Sequence, residues 1–333
     1  MTGRRFLMVC TLLMSLSSVR PAAGVATAEA EVGGPVATRQ SPAFVREAPV
    51  EQWSRAYRVP KAWVQAVWAY ESHIHIGKFT QLNGPDRPLW LGLGNPGLED
   101  APSIFVFDGV GRDGDGDGRC DIRSARDRTC SVLDWLSRNG GTATPEIRRS
   151  LWQWYEDSVI VERITLFSTL FATHTPAEMS RHAFPLPLRS SYTYRNTWGQ
   201  ARGWGGRRIH VGTDLFAPYG TPVRSTVWGY VETKGWNPYG GWRIGIRDVD
   251  NTYHYFAHLS GYAKGLSIGQ IVKPGQVIGY VGSSGYGRKG TSGKFPPHLH
   301  YGMYIDAGSE EWPVNPYPNL VQWEREERKQ TKR

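Results

Sequence analysis

The chain has 333 residues and a formal net charge of +9. Its length allows two domains with separate cores, and its 40% hydrophobic and 21% charged residues exclude an intrinsically disordered or collagen-like protein. The positive charge favours a polyanionic partner, a class that includes nucleic acid, an anionic cell wall and a membrane surface. The sequence has no basic recognition helix or aromatic–basic motif, so nucleic acid is not an expected partner.

The N-terminus has the pattern of a secretory signal. Two arginines precede an apolar stretch over 6–19, and small residues follow over 21–30. We predict a signal peptide over 1–30 and then a flexible leader over 31–43. An uncleaved membrane anchor is the alternative, but the apolar stretch is shorter than the ~20 residues that a span needs. We therefore expect a secreted, extracytoplasmic protein with no stable membrane span after cleavage.

The cysteines are interpreted through this predicted export. Cys10 lies within the signal, which leaves Cys120 and Cys130, ten residues apart. Two thiols in an oxidising compartment usually pair. We therefore predict a disulfide between them that closes a loop.

The first half of the mature chain, 44–183, has a helical pattern. A helix is predicted over 60–71, where apolar residues recur at helical spacing after a proline. Further helices are predicted over 131–137 and 145–171. In the last of these, four residues are expected to share one face: Trp152, Tyr155, Val159 and Ile160.

The second half, 184–320, is predicted to be an antiparallel β domain entered through a proline-containing linker. Short alternating segments separated by turn residues indicate strands, at 223–231, 242–247, 252–259 and 277–281. The fold class is therefore α+β, a helical domain followed by a β domain. The charged tail over 321–333 is expected to be a frayed helix or disordered.

Histidines of the β domain form a candidate metal site. His210 and Asp214 are four residues apart at a turn, and His298 and His300 lie on one face of a predicted strand. His258 ends another predicted strand. Imidazole and carboxylate are good zinc ligands, and a catalytic zinc has three protein ligands and one open position. Two histidines would then remain for proton transfer and charge stabilisation.

The sequence around these residues resembles that of the lysostaphin/LytM-type zinc metallopeptidases, which cut peptidoglycan peptides. The resemblance covers about 185–318 and rests on four segments: His210-Val-Gly-Thr-Asp214-Leu-Phe-Ala-Pro-Tyr-Gly-Thr-Pro-Val, Tyr255-Phe-Ala-His258-Leu-Ser, Gly275-Gln-Val-Ile-Gly-Tyr-Val-Gly and Pro297-His298-Leu-His300-Tyr. It implies that the zinc ligands are His210, Asp214 and His300. It also implies that His258 and His298 flank the water that attacks the substrate, without showing which of them is the general base.

One departure from this family concerns the oxyanion. Several relatives have a tyrosine six residues before the first ligand, whereas this chain has Trp204. The loop over 286–297 is also longer and more basic than usual, which favours a role in substrate choice. His254 is expected on the same strand face as His258, either packing or supporting the site.

Over the whole chain, the closer resemblance is to LytH-type L-Ala–D-Glu endopeptidases of spore-forming bacteria, which trim stem peptides during cortex maturation. It rests on the segment 192–210 and on a preceding helical domain with a Gly-Asp-Gly-Asp-Gly loop. Five basic residues flank the proposed ligands in sequence and would suit the carboxylates of such a peptide: Arg207, Arg208, Arg288, Lys289 and Lys294. The alternative function is a catalytically inactive LytM-like module that binds wall or a partner.

The helical domain carries two further hypotheses. The segment 57–63 followed by Glu71 is similar to the opening of lytic transglycosylases, which implies either a general acid at Glu71 or a fold that only grips glycan or supports the peptidase. The loop Asp113–Asp121 matches the first nine positions of a calcium loop, although Ser124 stands where the bidentate glutamate belongs and Asp127 is a possible substitute. A solvated acidic turn is the alternative to calcium.

Overall fold

A computed structural model describes residues 49–73, 90–203, 208–306 and 310–331, so the predicted signal peptide and leader lie outside the described residues. The helices are α1 (Val50–Tyr57), α2 (Lys61–His73), α3 (Ala101–Val106), α4 (Ala125–Asn139), α5 (Thr144–Tyr155), α6 (Ser158–Thr173), α7 (Pro176–Met179) and α8 (Tyr317–Thr331). Within the described ranges, no helix has both the length and the apolar character to cross a membrane.

Helix α2 forms the centre of the helical segment. Every residue from Trp63 to Glu71 is buried, so α2 is enclosed on all sides instead of presenting one apolar face. The helix begins directly after Pro60, whose carbonyl accepts the amide hydrogens of Trp63 and Val64. The predicted helix over 60–71 is confirmed. It packs against α6, α4 and α1.

Glu71 lies inside this core rather than in a cleft. It is 2% exposed, and its Oε2 accepts a hydrogen bond of 2.8 Å from Nε of Arg128, which is itself buried. The hydroxyl of Tyr155 donates to Oε1 at 2.5 Å. Both carboxylate oxygens are therefore engaged within the helical core. A general acid must reach its substrate, so these contacts favour a supporting role for Glu71.

The predicted helix over 145–171 is wrong as a single element, because the chain breaks between α5 and α6. Glu156 has a left-handed conformation with φ of 50°. The carboxylate of Asp157 then accepts the amide hydrogen of Val159 and starts α6. Consequently Trp152 and Val159 do not share a buried face, and their exposed fractions are 49% and 42%.

The predicted disulfide is also wrong, because Cys120 and Cys130 are separate, buried thiols. Cys120 packs in a small cluster with Trp90 and Ile104, whereas Cys130 belongs to the main helical core beside Tyr57. Burial raises the pKa of each thiol to about 12. Each sulfur thus fills a different apolar cluster as a protonated thiol.

The acidic loop at 113–121 satisfies its own carboxylates. Asp113 accepts two loop amide hydrogens, at 2.7 and 2.8 Å, and Asp127 accepts two more at the same distances. Asp115 accepts the hydroxyl of Ser124 at 3.1 Å. Oxygens of Asp113, Asp115 and Asp127 lie within 4.8 Å of one another. Because hydrogen bonds already engage these carboxylates, the loop geometry gives calcium no support.

The second half folds into an antiparallel sheet. Its strands are β1 (Thr193–Tyr194), β4 (Thr213–Phe216), β5 (Pro222–Arg224), β6 (Gly229–Asn237), β7 (Gly241–Asp248), β8 (Thr252–Tyr262), β9 (Ile271–Val272), β10 (Val277–Val281), β11 (His298–Asp306) and β12 (Glu311–Val314). The main order is β1-β4-β11-β8-β7-β6-β9. A separate ribbon pairs β2 (Ala201–Arg202) with β3 (Arg208–Ile209). The predicted stretch 223–231 contains two strands, β5 and β6, with a bend between them.

The C-terminal segment is an ordered helix packed on the sheet. Helix α8 buries Leu320 and Trp323 against the β core. The carboxylate of Glu324 accepts hydrogen bonds from the hydroxyls of Tyr192 and Tyr194, at 2.6 and 2.5 Å. The helix continues to Thr331, so the part of the tail that the structure describes is helical and not frayed or disordered as expected. The α+β class, with helices first and the antiparallel sheet after them, is confirmed.

Helix α6 meets the sheet through a buried ionic contact. Arg163 donates to Asp306 at the end of β11 and to Glu232 on β6, the latter at 2.9 Å. The second oxygen of Glu232 accepts from Nε of Arg247 at 2.9 Å. The rings of Phe167 on α6 and Tyr230 on β6 also pack together, with centres 6.2 Å apart. The boundary between the segments 44–183 and 184–320 stays a prediction.

Replacing Glu71 with Gln should destabilise the protein strongly. The substitution leaves the buried Arg128 guanidinium without its counter-charge, and breaking such a pair typically costs about 3–5 kcal/mol. Urea denaturation followed by circular dichroism measures the change. Glu51→Gln is the matched control, since Glu51 pairs with Lys61 at an exposed position and the loss of such a surface pair should leave the midpoint nearly unchanged. Equal midpoints for both variants would contradict the structural role of Glu71.

Candidate functional site

Two neighbouring strands bring the first pair of predicted ligands together. In the β4–β11 ladder, His300 lies directly opposite Asp214. Residues opposite each other in an antiparallel pair point to the same face of the sheet. Nδ1 of His300 is therefore 2.9 Å from Oδ1 of Asp214.

His210 enters the same cluster from the loop before β4. Its Nδ1 is 3.0 Å from the carbonyl oxygen of Thr197, and a carbonyl can only accept. Nδ1 therefore carries the hydrogen, which leaves Nε2 as an acceptor. That Nε2 is 3.0 Å from Oδ1 of Asp214 and 3.0 Å from Nδ1 of His300.

The three atoms have the spacing and chemistry of a metal site. Two imidazole nitrogens and one carboxylate oxygen converge, and this is a set of ligand atoms that a bound zinc ion would share. Tetrahedral zinc ligands are about 3.3 Å apart, close to the 2.9–3.0 Å between these atoms. His210 and Asp214 are buried, as a preformed site requires. The residues that the sequence singled out as ligands thus fit zinc.

Gly212 makes room for this cluster. A Cβ at this position would lie 2.5 Å from Cε1 of His300. No side chain can be that close to the ring without displacing it. The glycine between His210 and Asp214 is therefore required by the position of the opposite imidazole.

Charge and burial act in opposite directions on Asp214. Burial alone would raise its pKa, but the adjacent imidazoles of His210 and His300 outweigh burial and hold the pKa well below the usual range. Burial also lowers the pKa of His300. An ionised carboxylate beside the neutral imidazole of His300 is the protonation state that a metal needs.

His258 reaches the site through a β-bulge. His258 has a left-handed φ of 62°, and the register with β7 shifts between the pairs Trp242–Leu259 and Ile244–Phe256. Strict alternation would place His258 on the core face, with Phe256. The bulge instead turns it toward His300, whose ring centre is 5.8 Å away.

His254 therefore does not share a face with His258, contrary to the expectation. It is buried on the core side of β8, where Nδ1 is 2.7 Å from the hydroxyl of Tyr301 and Nε2 is 2.9 Å from Oδ2 of Asp248. Its ring also lies near Trp323 of α8. These contacts give His254 a packing role.

The second histidine pair is held by one loop. Nδ1 of His258 donates to the carbonyl of Ser284 at 2.8 Å, and Nδ1 of His298 donates to that of Pro296 at 2.8 Å. Each ring keeps Nε2 as its acceptor, and Nε2 of His298 is 3.8 Å from Oδ1 of Asp214. The ring centres of His258 and His298 are 4.8 Å apart. Two oriented imidazoles thus stand beside the ligand cluster.

Burial keeps both of these histidines neutral. It lowers the pKa of His258 well below the usual value, and the neighbouring His298 and His300 lower it further. Burial also lowers the pKa of His298, although Asp214 partly opposes the shift. Neutral rings with a free Nε2 can accept a proton at neutral pH.

The loop over 286–297 supplies an aromatic wall. The ring of Tyr286 stacks on His258 with centres 5.9 Å apart, and Phe295 lies 4.7 Å from His258 and 5.0 Å from His298. Lys294 donates to the carbonyl of Tyr286 at 2.6 Å. The loop therefore contacts both histidines, which supports its predicted influence on the site.

The other predicted basic residues take different positions. Arg208 lies over the ring of Tyr286, and Lys289 lies over Trp242. Arg288 is exposed. Trp204 and Arg207 lie outside the described residues.

Sequence reasoning missed Arg202. One of its terminal nitrogens donates to Oδ2 of Asp214 at 2.6 Å, so the guanidinium holds the carboxylate oxygen that faces away from the histidine cluster. One feature of the sequence could have indicated it. The two short segments before His210 are joined by a glycine-rich turn, a pattern that is typical of a hairpin. Pairing 200–202 with 208–210 would have placed Arg202 beside the ligands.

Comparisons with known proteins identify a family and several relatives of this chain. The model of peptidase family M23 matches residues 208–316. The L-Ala–D-Glu endopeptidase of Bacillus subtilis (strain 168) is 58% identical over 241 residues, which cover 72% of this chain and 74% of that protein. Lysostaphin from Staphylococcus staphylolyticus is 36% identical over 114 residues, 34% of this chain and 22% of its own length.

A solved structure of a protein assigned as a glycyl-glycine endopeptidase LytM from Ruminococcus gnavus has 35% identity and a TM-score of 0.41. The match covers 59% of this chain and 81% of that one. The Bacillus subtilis alignment is longer than the region matched by the family model and includes most of both proteins. This chain belongs to peptidase family M23.

Proposed function

We propose that this protein is a zinc-dependent endopeptidase that hydrolyses the L-Ala–D-Glu amide of peptidoglycan stem peptides. Family M23 comprises zinc-dependent peptidoglycan endopeptidases. The observation that carries the proposal is the meeting of His210, Asp214 and His300 within 3.0 Å beside two neutral histidines. The name of the Bacillus subtilis relative and its 58% identity support the L-Ala–D-Glu bond as the target.

In this proposal His210 Nε2, Asp214 Oδ1 and His300 Nδ1 hold the metal. Bound zinc would polarise the scissile carbonyl and make the attacking water more acidic. The carbonyl of Thr197 fixes the tautomer of His210, and Arg202 holds the second oxygen of Asp214. These outer contacts orient the ligands before substrate binds.

His258 and His298 are the proposed proton-transfer residues. Either Nε2 can accept the proton of the attacking water and later deliver it to the leaving amine. Because burial lowers the pKa of both rings, two adjacent imidazolium ions are disfavoured, and one proton at a time is expected on the pair. The ring that carries it can donate to the oxygen that becomes negative.

The geometry of the site argues against the alternative function, an inactive wall-binding module. Such a module has no need for a buried carboxylate, two inward-facing imidazoles and a second oriented pair. The bulge at His258 also favours an active enzyme. A non-glycine residue with positive φ lowers stability by on the order of 1 kcal/mol or more and is retained where it serves a function.

We place the activity outside the cytoplasm, in cell-wall or spore-cortex remodelling. The predicted signal over 1–30 and the resemblance to enzymes of spore-forming bacteria support this location. The net charge of +9 suits an anionic wall.

The mature protein should bind one zinc ion, and His210→Ala should lose metal and activity together. Removing one of three protein ligands leaves too few donors for tight binding. Elemental analysis by mass spectrometry after dialysis measures the zinc content. His174→Ala, at the end of α6, is the control and should keep full zinc. Full occupancy in the His210 variant would show that the ligand assignment is wrong.

Variants of the histidine pair should keep zinc but lose rate. His298→Ala and His258→Asn are chosen, asparagine because it tolerates the left-handed conformation at 258. Each should lower kcat by about 100-fold or more, the usual effect of removing a general base or an oxyanion donor. Steady-state kinetics with parallel zinc analysis tests this. A variant that instead loses its metal identifies that histidine as a ligand.

The reaction products should identify the bond. Digestion of defined muropeptides is expected to leave muramic acid bearing a single L-Ala and to release a peptide with a new D-Glu amino terminus. Mass spectrometry of the fragments distinguishes these products. Cleavage at a cross-bridge, with the L-Ala–D-Glu bond intact, would preserve the enzyme class and refute the proposed specificity.

A further inference from the structure

The β2–β3 ribbon directs two arginines to the candidate site. Arg202 lies opposite Arg208 in the register of the ribbon, so their side chains share one face. The pairing continues to His210, whose amide donates to the carbonyl of Gln200. Because Arg208 and His210 are two residues apart, both arginines lie on the face that carries the proposed ligand.

Arg202 lies beside Asp214 with donors to spare. One terminal nitrogen donates to Oδ2 of Asp214, and Nε is buried without a hydrogen-bond partner among the described residues. The side chain is 35% exposed, so part of it is accessible to a ligand. A guanidinium has five N–H donors and binds carboxylates through two of them at once.

Arg208 lies against the aromatic wall of the loop over 286–297. Its guanidinium is 5.1 Å from the ring centre of Tyr286 and 5.6 Å from that of Tyr239, and it donates to the hydroxyl of Tyr286. Tyr286 in turn stacks on His258. Arg202 thus contacts Asp214 directly, whereas Arg208 is connected to His258 through the ring of Tyr286. Like charges opposite each other in a ribbon repel, and an anion bound between them relieves that repulsion.

We propose that Arg202, assisted by Arg208, binds the free carboxylate of an acidic residue next to the scissile amide of the substrate. This inference rests on the proposed function and specifies how the substrate is chosen. In a stem peptide that continues through the γ-carboxyl of D-Glu, the α-carboxylate remains free beside the amide to be cut. Arg202 holds that carboxylate with its remaining donors while its first donor keeps Asp214 in place.

The test compares two peptides that differ by one group. Both contain L-Ala–D-Glu linked through the γ-carboxyl, one with a free α-carboxylate and the other with an α-carboxamide. The wild-type enzyme should prefer the carboxylate peptide by about 10- to 100-fold in kcat/KM, the usual range for a charge-assisted pair. In Arg202→Gln this preference should fall to within about 3-fold, mainly through a higher KM.

Three further variants separate binding from structure. Arg189→Gln removes an exposed arginine from the segment before β1 and should keep the full preference. Arg202→Lys retains the charge without the planar fork and should give an intermediate preference. Arg208→Gln should lose part of the preference for the carboxylate peptide. If zinc analysis shows that Arg202→Gln has lost its metal, the Arg208 variant provides the test of carboxylate binding in its place.

A direct binding measurement distinguishes failure of this inference from failure of the proposed function. Calorimetric titration with the γ-linked peptide that begins at D-Glu, with and without its α-carboxylate, requires no turnover. Cleavage of a different bond would refute the proposed function. The carboxylate-binding role would be overturned if the wild-type enzyme cleaved the two peptides with equal kcat/KM, or if Arg202→Gln kept the full preference for the carboxylate peptide. If the Arg202 variant lacks zinc, an unchanged preference in Arg208→Gln would overturn it instead.

Discussion

The register between β4 and β11 is the constraint on which the candidate site depends. It places Asp214 opposite His300, and His298 follows on the same face two residues away. The residues that alternate with these are fully buried on the other face: Leu215, Leu299 and Tyr301. A slip of one residue would exchange the two sets, moving apolar side chains into the site and imidazoles into the core. The hydrophobic effect on one face therefore fixes the polar geometry on the other.

The local electrostatics follow from the same burial. Removal from water lowers the pKa of His258 and His298, while contacts with imidazole keep Asp214 ionised despite its burial. Backbone carbonyls of Thr197, Ser284 and Pro296 then fix which ring nitrogen carries the hydrogen. The fold thus orients the proposed ligand atoms and the two proton-accepting nitrogens toward one point.

Much of this arrangement could be predicted from the sequence, because the segments around the five site residues resemble those of the lysostaphin/LytM family, and the period of a strand places His298 and His300 on one face. The orientation of His258 could not, since a single left-handed residue reversed the alternation on which the expectation for His254 relied. Arg202 was missed because its role depends on pairing across a hairpin. The single long helix and the disulfide failed for a related reason: the break at Glu156 and the separate packing of the cysteines are set by tertiary contacts.

Strand β11 connects the site to the helical segment. It begins with His298 and ends at Asp306, whose carboxylate accepts from Arg163 of α6. The same arginine neutralises Glu232 on β6. Loss of Arg163 would leave two acidic side chains without this partner, one of them on the strand that carries the histidines. In natural sequences with this arrangement, positions 163, 232 and 306 are therefore expected to change together.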